Sequence, residues 1–341
     1  MGAALITKVL TESEFPAWDA FVAASAQGSP YGTSQYLSAL CEATDGSFRI
    51  LAAARGSELV GGVALFEQQQ GSRTRVAPRP LLYYNGLVLC ESATKYPSLA
   101  TAKTLEASSA IEAQISSSGY EKVVLKNHWS LLDARSFMAQ GWAVRPGYSY
   151  LVSISNIEAA WERVEQNLRR LVRRSSQQGI RFTEDDDFAS FFRLHAAGVA
   201  RKGMPLYLPE DRFSRFIRRL SAQGLCRIYH ARLPTGQSIS AQIVLTGKHT
   251  VSHSVCAAAD PEHLNTGATA FLRWKVFEAL SALGYSGNDL TDAALNPVTH
   301  FKSQLGGELK LCLICEKALT PESWARMLAS RWRSKTRRAD R

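Results

Sequence analysis

Apolar and polar positions recur with the period of a β-strand in some segments and with the period of an α-helix in others. The order of strands and helices that these patterns predict occurs twice along the chain. In the first half, a strand at residues 4–10 precedes a helix at 12–24, in which Phe15, Trp18 and Val22 share one face. The remaining predicted elements of this half are a helix at 34–42, a strand hairpin at 48–54 and 59–68, a strand at 81–89, a helix at 98–117, a strand at 122–126, a helix at 131–140 and a strand pair within 142–154.

The second half repeats this order of elements, with different turn residues between them. Its predicted elements are a helix at 157–178, a strand at 180–183, helices at 188–201 and 210–222, a hairpin at 225–232 and 238–246, a strand at 250–258, a helix at 269–283, a strand through Asp289, a helix near Phe301 and a strand at 309–315. Two copies of one order predict the duplication of an α/β unit.

One loop of the second half separates a strand from a long amphipathic helix. It consists of small residues around Gly267, and the helix that follows carries Phe271, Trp274 and Phe277. The free backbone N–H groups and the dipole at the start of a helix attract phosphate groups. The sequence therefore predicts an anion site formed by Asn265, Thr266, Gly267, Ala268 and Thr269.

Length and composition narrow the class of protein. A chain of 341 residues predicts two domains, and 45% hydrophobic with 21% charged residues is typical of a globular protein. No apolar run reaches the length of a membrane span, and the acidic N-terminal region lacks the plan of a signal peptide, so a cytoplasmic location is predicted. The spacing of Cys312 and Cys315 is that of a metal or redox pair, but buried reduced thiols are the favoured interpretation, and no metal site is predicted.

The net charge of +10 is confined to the second half and the tail. Residues 1–150 carry 12 basic and 12 acidic side chains, whereas residues 331–341 carry six basic and one acidic. A phosphate-bearing partner, whether a cofactor, RNA or an anionic lipid, is expected to meet the basic half first. The helix at 157–178 contributes Arg169, Arg170, Arg173 and Arg174, whose spacing makes one cationic face on an ideal helix.

Four sequence pieces carry a resemblance to a known family. They are Trp161 with Asn167-Leu168-Arg169-Arg170 and Gly179; Gly267 with Trp274, Gly284 and Asp289; Phe301-Lys302 with Leu305-Gly306-Gly307; and, more weakly, Ser29-Pro30-Tyr31, Tyr84-Asn85-Gly86 and Gly141-Trp142. In this order they resemble the FemAB-like branch of the GNAT acyltransferases, over roughly residues 5–318. Leu305 stands where that family has a second phenylalanine.

The resemblance implies an α/β fold of two tandem GNAT-like domains, each a mixed central sheet flanked by helices. It implies a degenerate first domain at 1–154 on the acceptor side, a donor-binding second domain at 155–318, and a basic tail at 319–341. The enzyme would be an acyltransferase that moves an acyl group from an activated donor to an amine. Such a donor needs positioning and oxyanion stabilisation rather than a covalent intermediate.

Residue roles follow from the same resemblance. Lys302 would neutralise a phosphate or support the oxyanion, and Asp289 or Asp292 would accept the amine proton. Phosphates would meet the loop together with Arg169, Arg170 and Arg173. The residues expected to contact substrate are Tyr31, Tyr83, Tyr84, Tyr229 and Phe301. Replacing Lys302 with alanine is predicted to abolish transfer and to leave thermal stability unchanged.

Donor and acceptor stay open at this point. Acyl-CoA is favoured as co-substrate over aminoacyl-tRNA, because the long helical arm of the tRNA-dependent relatives has no room in this chain. No tightly bound cofactor is expected. The acceptor would be a cell-envelope or polysaccharide-type amine, either a small molecule or lipid-linked. The tail suggests contact with tRNA or with an anionic membrane, and a rival reading is a non-catalytic RNA- or membrane-binding protein on the same fold.

Overall fold

The chain forms two units that interleave along the sequence. In the computed structural model, which describes residues 3–294 and 297–320, unit 1 comprises residues 3–41, 45–146 and 312–320. Unit 2 comprises Glu42–Thr44 and Gly147–Leu311. The last strand therefore begins in unit 2 and ends in unit 1. The predicted division into residues 1–154 and 155–318, with a separate tail from 319, stays a prediction.

Unit 1 is a mixed sheet with helices. Its strands are β1 (Leu5–Val9), β2 (Ser47–Arg55), β3 (Glu58–Gln70), β4 (Arg73–Val76), β5 (Val88–Leu89) and β6 (Lys122–Lys126), and its helices are α1 (Phe15–Ala24), α2 (Ser34–Thr44), α3 (Pro97–Ser116) and α4 (Arg135–Ala139). The sheet order is β1-β2-β3-β4-β6, with β4 and β6 parallel, β5 on β3, and the second part of the last strand on β6. Apolar residues of α3, such as Ile111 and Ile115, cover the sheet and close the core.

Unit 2 repeats the mixed arrangement. Its strands are β7 (Ala143–Ser153, from residue 147), β8 (Arg181–Glu184), β9 (Cys226–Arg232), β10 (Ser238–Leu245), β11 (Val251–Ala259), β12 (Gly287–Asp289) and the start of β13 (Glu308–Ala318). Its helices are α5 (Ile157–Arg163), α6 (Gln166–Gln177), α7 (Phe188–Arg201), α8 (Glu210–Ala222), α9 (Ala268–Ala282) and α10 (Pro297–Gln304). The order β7-β12-β11-β10-β9-β8 contains one parallel pair, β11 with β12.

Helices cover both faces of the unit 2 sheet. Tyr229 and Val244 lie on the face that packs against α9, within a core that also holds Phe271, Phe277 and Leu280. Cys256 pairs in register with Ile243 and points to the opposite face, where its Sγ lies 3.6 Å from Nδ1 of His195 on α7. Because successive strand residues point to opposite faces, the apolar runs of β9 to β11 bury both sides.

Most predicted elements are confirmed, and four are corrected, one of them the helix predicted at 131–140, which is limited to Arg135–Ala139. The helix predicted at 157–178 is two helices, because Val164 turns to an extended conformation and the Glu165 N–H donates to the carbonyl of Gln304 at 2.9 Å. The strand pair predicted within 142–154 is the single strand β7. Only Val88–Leu89 of the strand predicted at 81–89 is a strand, and Leu81 has a left-handed φ of 72°.

Within the described residues, every helix falls short of the length or the apolar character that crossing a bilayer requires.

Candidate functional site

The start of α9 has the geometry expected of an anion site. A 3-10 helix, Pro261–Thr266, leads to Gly267, whose φ of 82° is left-handed, and α9 begins at Ala268. The Ala268 N–H donates to the Thr266 hydroxyl at 3.2 Å. The other N–H groups of a first helical turn have no partner inside the helix, and the dipole is positive there. This turn can therefore hold a phosphate.

The loop before α9 is fastened to α6 on one side. Ser175 Oγ donates to the Thr266 carbonyl at 2.8 Å, and the Arg174 guanidinium donates to the Asn265 carbonyl. A Cβ on Gly267 would lie 3.0 Å from Leu171 Cβ, so only glycine fits between the loop and α6. Asn265 is exposed and Thr269 is partly exposed. The loop is thus closed towards α6 and accessible elsewhere.

The arginines of α6 form two rows rather than one face. Arg169 pairs with Glu162 of α5 at 3.0 Å, and the Arg173 guanidinium lies 5.7 Å from the centre of the Trp161 ring. Arg174 lies at the loop, and the exposed Arg170 precedes it by one helical turn. The structure therefore places Arg170 and Arg174 in the row at the loop, and Arg169 and Arg173 beside α5. The role of Arg169, Arg170 and Arg173 in phosphate binding stays a prediction.

Asp289 ends β12 and is fully buried. Its Oδ1 accepts a hydrogen bond from the Thr291 N–H at 2.7 Å and one from the Ser149 hydroxyl, and its Oδ2 lies 3.7 Å from His253 Nδ1. Burial lowers the pKa of His253, although the Asp289 carboxylate opposes that effect, so the ring is neutral near pH 7. The carboxylate is thus held by hydrogen bonds inside unit 2, and its role in accepting the amine proton, directly or through water, stays a prediction.

Lys302 holds the turn that follows β12. Its ammonium donates to the carbonyl of Thr291 and, at 2.6 Å, to that of Asp292. Both turn residues have left-handed φ values, 48° and 46°, which non-glycine residues adopt only with support from their surroundings. Asp292 is exposed, Lys302 is partly buried, and Phe301 packs against the core. The structure thus brings the predicted catalytic residues Asp289, Asp292 and Lys302 together, while their roles stay predictions.

The sheet opens next to this turn. β11 pairs with β12 only from Val251 to His253, whereas β11 itself continues to Ala259. On the β10 side, Cys256 and Ser254 pair with consecutive residues, so Val255 is an extra residue in a β-bulge. Bulges bend a strand and occur often beside active sites. Sequence periodicity does not reveal this bulge, because Val255 continues an apolar run.

The predicted substrate-contacting tyrosines lie in different surroundings. In unit 1, the rings of Tyr83 and Tyr84 lie 6.1 and 6.0 Å from that of Tyr31; Tyr31 and Tyr84 are buried and Tyr83 is partly exposed. Of the three, Tyr83 presents the most surface to a ligand. In unit 2, Tyr229 is fully buried beneath α9 and its ring centre lies 5.5 Å from that of Phe182. Tyr229 therefore packs in the core, contrary to the expectation that it borders a cleft.

Three potential metal ligands lie close together at the outer strands of unit 2. Ligand atoms of Asp185, Asp187 and His230 all lie within 4.8 Å of one another. The Arg232 guanidinium already bridges both carboxylates, at 3.0 Å from Asp185 and 2.9 Å from Asp187. A cation thus occupies the position that a metal ion would take, and burial lowers the pKa of His230. This group stabilises the β8–β9 edge and is not assigned as a metal site.

The residues that form this site match the model of a known protein family. Residues 162–303 match the model of the acetyltransferase (GNAT) domain. Over these residues the chain is similar to the GNAT acyltransferases. The matched segment contains α6, the Gly267 loop, α9, β12 and Lys302. The predicted class of enzyme, an acyltransferase, is confirmed.

Solved structures extend the similarity in fold to more than nine tenths of the chain. FemX superposes with a TM-score of 0.68 at 13% identity, covering 91% of this chain and 96% of FemX. L-PGS from Bacillus licheniformis gives 0.56 at 12% identity, covering 93% and 96%. A tandem GNAT protein from the clavulanic acid biosynthesis pathway, solved without AcCoA, gives 0.52 at 13% identity, covering 93% and 99%. No curated protein sequence matches the chain. At such identities the structures show the fold, and they confirm the prediction of tandem GNAT-like domains.

Proposed function

We propose that the protein transfers an acyl group from acyl-CoA to an amine of a cell-envelope or polysaccharide-type acceptor. The observation that supports this most directly is the start of α9. There Gly267 lets the loop lie against α6 and Thr269 of the first helical turn is partly exposed, while Ser175 and Arg174 of α6 hold the preceding loop in place.

In this proposal, the pyrophosphate of the donor binds at the start of α9. The backbone N–H groups of the first turn supply hydrogen bonds and the helix dipole supplies positive potential. Arg170 and Arg174 add formal charge on the same side of α6. The loop is fastened before the ligand arrives, so that little loop entropy is lost on binding.

Transfer itself needs an attacking amine and a stabilised oxyanion. The amine nitrogen bonds to the thioester carbonyl carbon, the carbon–sulfur bond breaks, and the amine proton leaves through a base while the carrier departs as a thiol. We assign the base to Asp292, which is exposed, and oxyanion support to the Lys302 ammonium beside it. Asp289 acts as a positioning residue, since it accepts the Thr291 N–H within the same turn.

We assign acceptor contacts in unit 2 to Phe301, which is partly exposed. The chemistry of the acceptor is a primary amine, on a small molecule or a lipid-linked precursor. Oligomeric state does not enter this assignment.

Aminoacyl-tRNA is the second candidate donor. The similarity in fold to FemX and L-PGS and the cationic rows of α6 favour it, because an aminoacyl ester is activated as a thioester is. The basic tail, residues 331–341, lies outside the described residues, and its contact with tRNA or an anionic membrane stays a prediction. A non-catalytic RNA- or membrane-binding role is the remaining alternative.

A ligand panel separates these candidates. The melting temperature would be measured with coenzyme A, acetyl-CoA, longer acyl-CoAs and bulk aminoacyl-tRNA, followed by a transfer assay with simple amines. We expect a rise of several degrees with acyl-CoA that Gly267→Ala removes. A rise with charged tRNA alone would favour the tRNA-dependent reaction. Salt-sensitive RNA retention without any donor effect would favour the non-catalytic role.

A further inference from the structure

Arg273 is a partly buried side chain of unit 2, and one nitrogen of its guanidinium has no partner among the described residues. Arg273 lies on α9, and its Nη1 atom is inaccessible to solvent and makes no hydrogen bond to any part of the described chain. Burial lowers the pKa of Arg273 to about 10, which still leaves it charged at neutral pH. Buried charges in proteins are normally paired, since an unpaired one is strongly unfavourable.

The groups around this guanidinium do not neutralise it. The Cys256 thiol interacts electrostatically with Arg273, and burial raises the pKa of this thiol to about 12 although Arg273 and Lys202 oppose the rise. The thiol is therefore uncharged. His195, which lies 3.6 Å from Cys256 Sγ, is buried, its pKa is lowered, and its Nε2 has no hydrogen-bond partner within the described residues. Lys202, the other charged neighbour, is itself a cation.

The position of Arg273 relates it to the opening of the sheet. Cys256 belongs to the part of β11 that continues beyond the last pair with β12, immediately after the bulge at Val255. Arg273 interacts electrostatically with Cys256 of this segment, and His195 lies against the same cysteine. Two nitrogens without a partner among the described residues, Nη1 of Arg273 and Nε2 of His195, are therefore associated with Cys256, and both are suited to bind a ligand oxygen.

This position differs from that of the phosphate site. Arg273 follows the first residue of α9, Ala268, by five residues, which is about 7.5 Å along the helix axis. The phosphates of the proposed donor are assigned to the helix start and to α6. The part of coenzyme A between its phosphates and the acyl carbonyl consists of amides and methylenes and carries no charge. An anion at Arg273 would therefore belong to the transferred acyl group or to the acceptor.

We propose that Arg273 binds a carboxylate carried by one of the two substrates, either the acyl group or the amine acceptor. The inference rests on the proposed acyl transfer and names a substrate class for it. A guanidinium and a carboxylate form two parallel hydrogen bonds, which a lysine cannot reproduce. Arg273 would thus select carboxylate-bearing substrates, and Cys256 and His195 would form the neutral wall beside them.

The first test uses the unliganded protein. Arg273→Gln and Arg273→Met remove an unneutralised charge, so we expect the melting temperature of both variants to equal or exceed that of wild type. A structural arginine would show the reverse. Free succinate should raise the melting temperature of wild type but not of Arg273→Gln, and the neutral dimethyl ester should raise neither. A lower melting temperature in both variants, or equal responses to succinate, overturns the inference.

The second test identifies which substrate carries the carboxylate. Turnover would be compared for succinyl-CoA against butyryl-CoA, and for glycine against glycinamide as acceptor. We expect at least tenfold preference for the acid in one pair, its loss in Arg273→Gln, and partial retention in Arg273→Lys. Arg215→Gln, which removes an exposed arginine paired with Asp211 at 3.1 Å, is the matched control and should keep the preference.

The outcomes separate this inference from the proposed function. Transfer from acyl-CoA without preference in either pair overturns the carboxylate site and leaves the acyltransferase proposal standing. If every thioester fails to bind while succinate still stabilises wild type and not Arg273→Gln, the carboxylate site stands and the acyl-CoA proposal falls.

Discussion

The Lys302 ammonium and the Asp292 backbone carbonyl lie 2.6 Å apart, so the lysine predicted to act in catalysis also supports a turn with left-handed backbone angles. Removing the Lys302 side chain should therefore have two effects. One concerns the reaction, and the other concerns the stability of the turn between β12 and α10.

Lys302→Met keeps the aliphatic stem and removes the charge. We expect transfer to fall at least a hundredfold, and the free energy of unfolding to fall by about 1 kcal/mol, because water replaces the lost donor only in part. The sequence alone predicted unchanged stability, so this expectation is new. Urea unfolding and a transfer assay measure the two effects, with Lys310→Gln on β13 as control. Unchanged turnover in Lys302→Met would remove the lysine from the mechanism.

Gly267→Ala tests the fit of the donor loop against α6. Left-handed φ costs a non-glycine residue about 1 to 2 kcal/mol, and here the new methyl would also meet Leu171 and Ser175 at 3.0 Å. Gly284→Ala is the matched control, since its φ is 88° and no atom lies within 4 Å of the added Cβ. We expect both variants to unfold at lower urea, Gly267→Ala by the larger margin, and only Gly267→Ala to bind acyl-CoA more weakly. Equal losses in the two variants would show that contact with α6 contributes nothing.

Substitutions in the two rows of arginines on α6 are expected to differ in their effect on donor affinity. Arg174→Gln should weaken acyl-CoA binding about tenfold, because the guanidinium both holds the Asn265 carbonyl and adds charge beside the phosphates. Arg169→Gln should have little effect on affinity, since Arg169 is engaged with Glu162 of α5. Isothermal titration at two salt concentrations measures both. The opposite ranking would return Arg169 to the phosphate site and place the ligand on the α5 side.

Acid should destabilise the protein in two separate ranges. Burial lowers the pKa of His249 from 6.5 to about 4, and those of His195, His230 and His253 are lowered in the same way. The unfolded chain then binds protons that the folded chain does not, so stability is lost as the pH falls from 6.5 towards 4. Although burial opposes it, hydrogen bonds from Ser190 and Arg232 lower the pKa of Asp187 from 3.8 to about 2, which adds a loss below pH 3.8.

Melting temperatures between pH 7.5 and 3 would check this behaviour. His249→Asn should flatten the profile between pH 6.5 and 4 and leave the range below 3.8 as in wild type. A profile that His249→Asn does not change would mean that the ring is hydrated and titrates normally in the folded state.

Local sequence patterns predicted the bounds of an element correctly where that element depends on its own residues. The helices at 188–201 and 210–222 and the strand at 122–126 have their predicted bounds, because each carries a clear period and ends at a breaker. The sequence did not show in which directions the side chains of Cys312 and Cys315 point. On β13 an odd separation turns them to opposite faces, one beside Tyr84 and the other beside Asn127.

The sequence alone determined the order of the elements, the duplicated α/β plan, and the segment in which the site lies, because periodicity, glycine positions and motif residues are local properties. Tertiary structure decided which residues meet there. The break before α6, the division of its arginines into two rows, the bulge at Val255 and the unneutralised Arg273 depend on partners far away in the chain, such as Gln304 with Glu165. Hydrogen bonds and burial between distant segments set these features, and no short stretch of sequence encodes them.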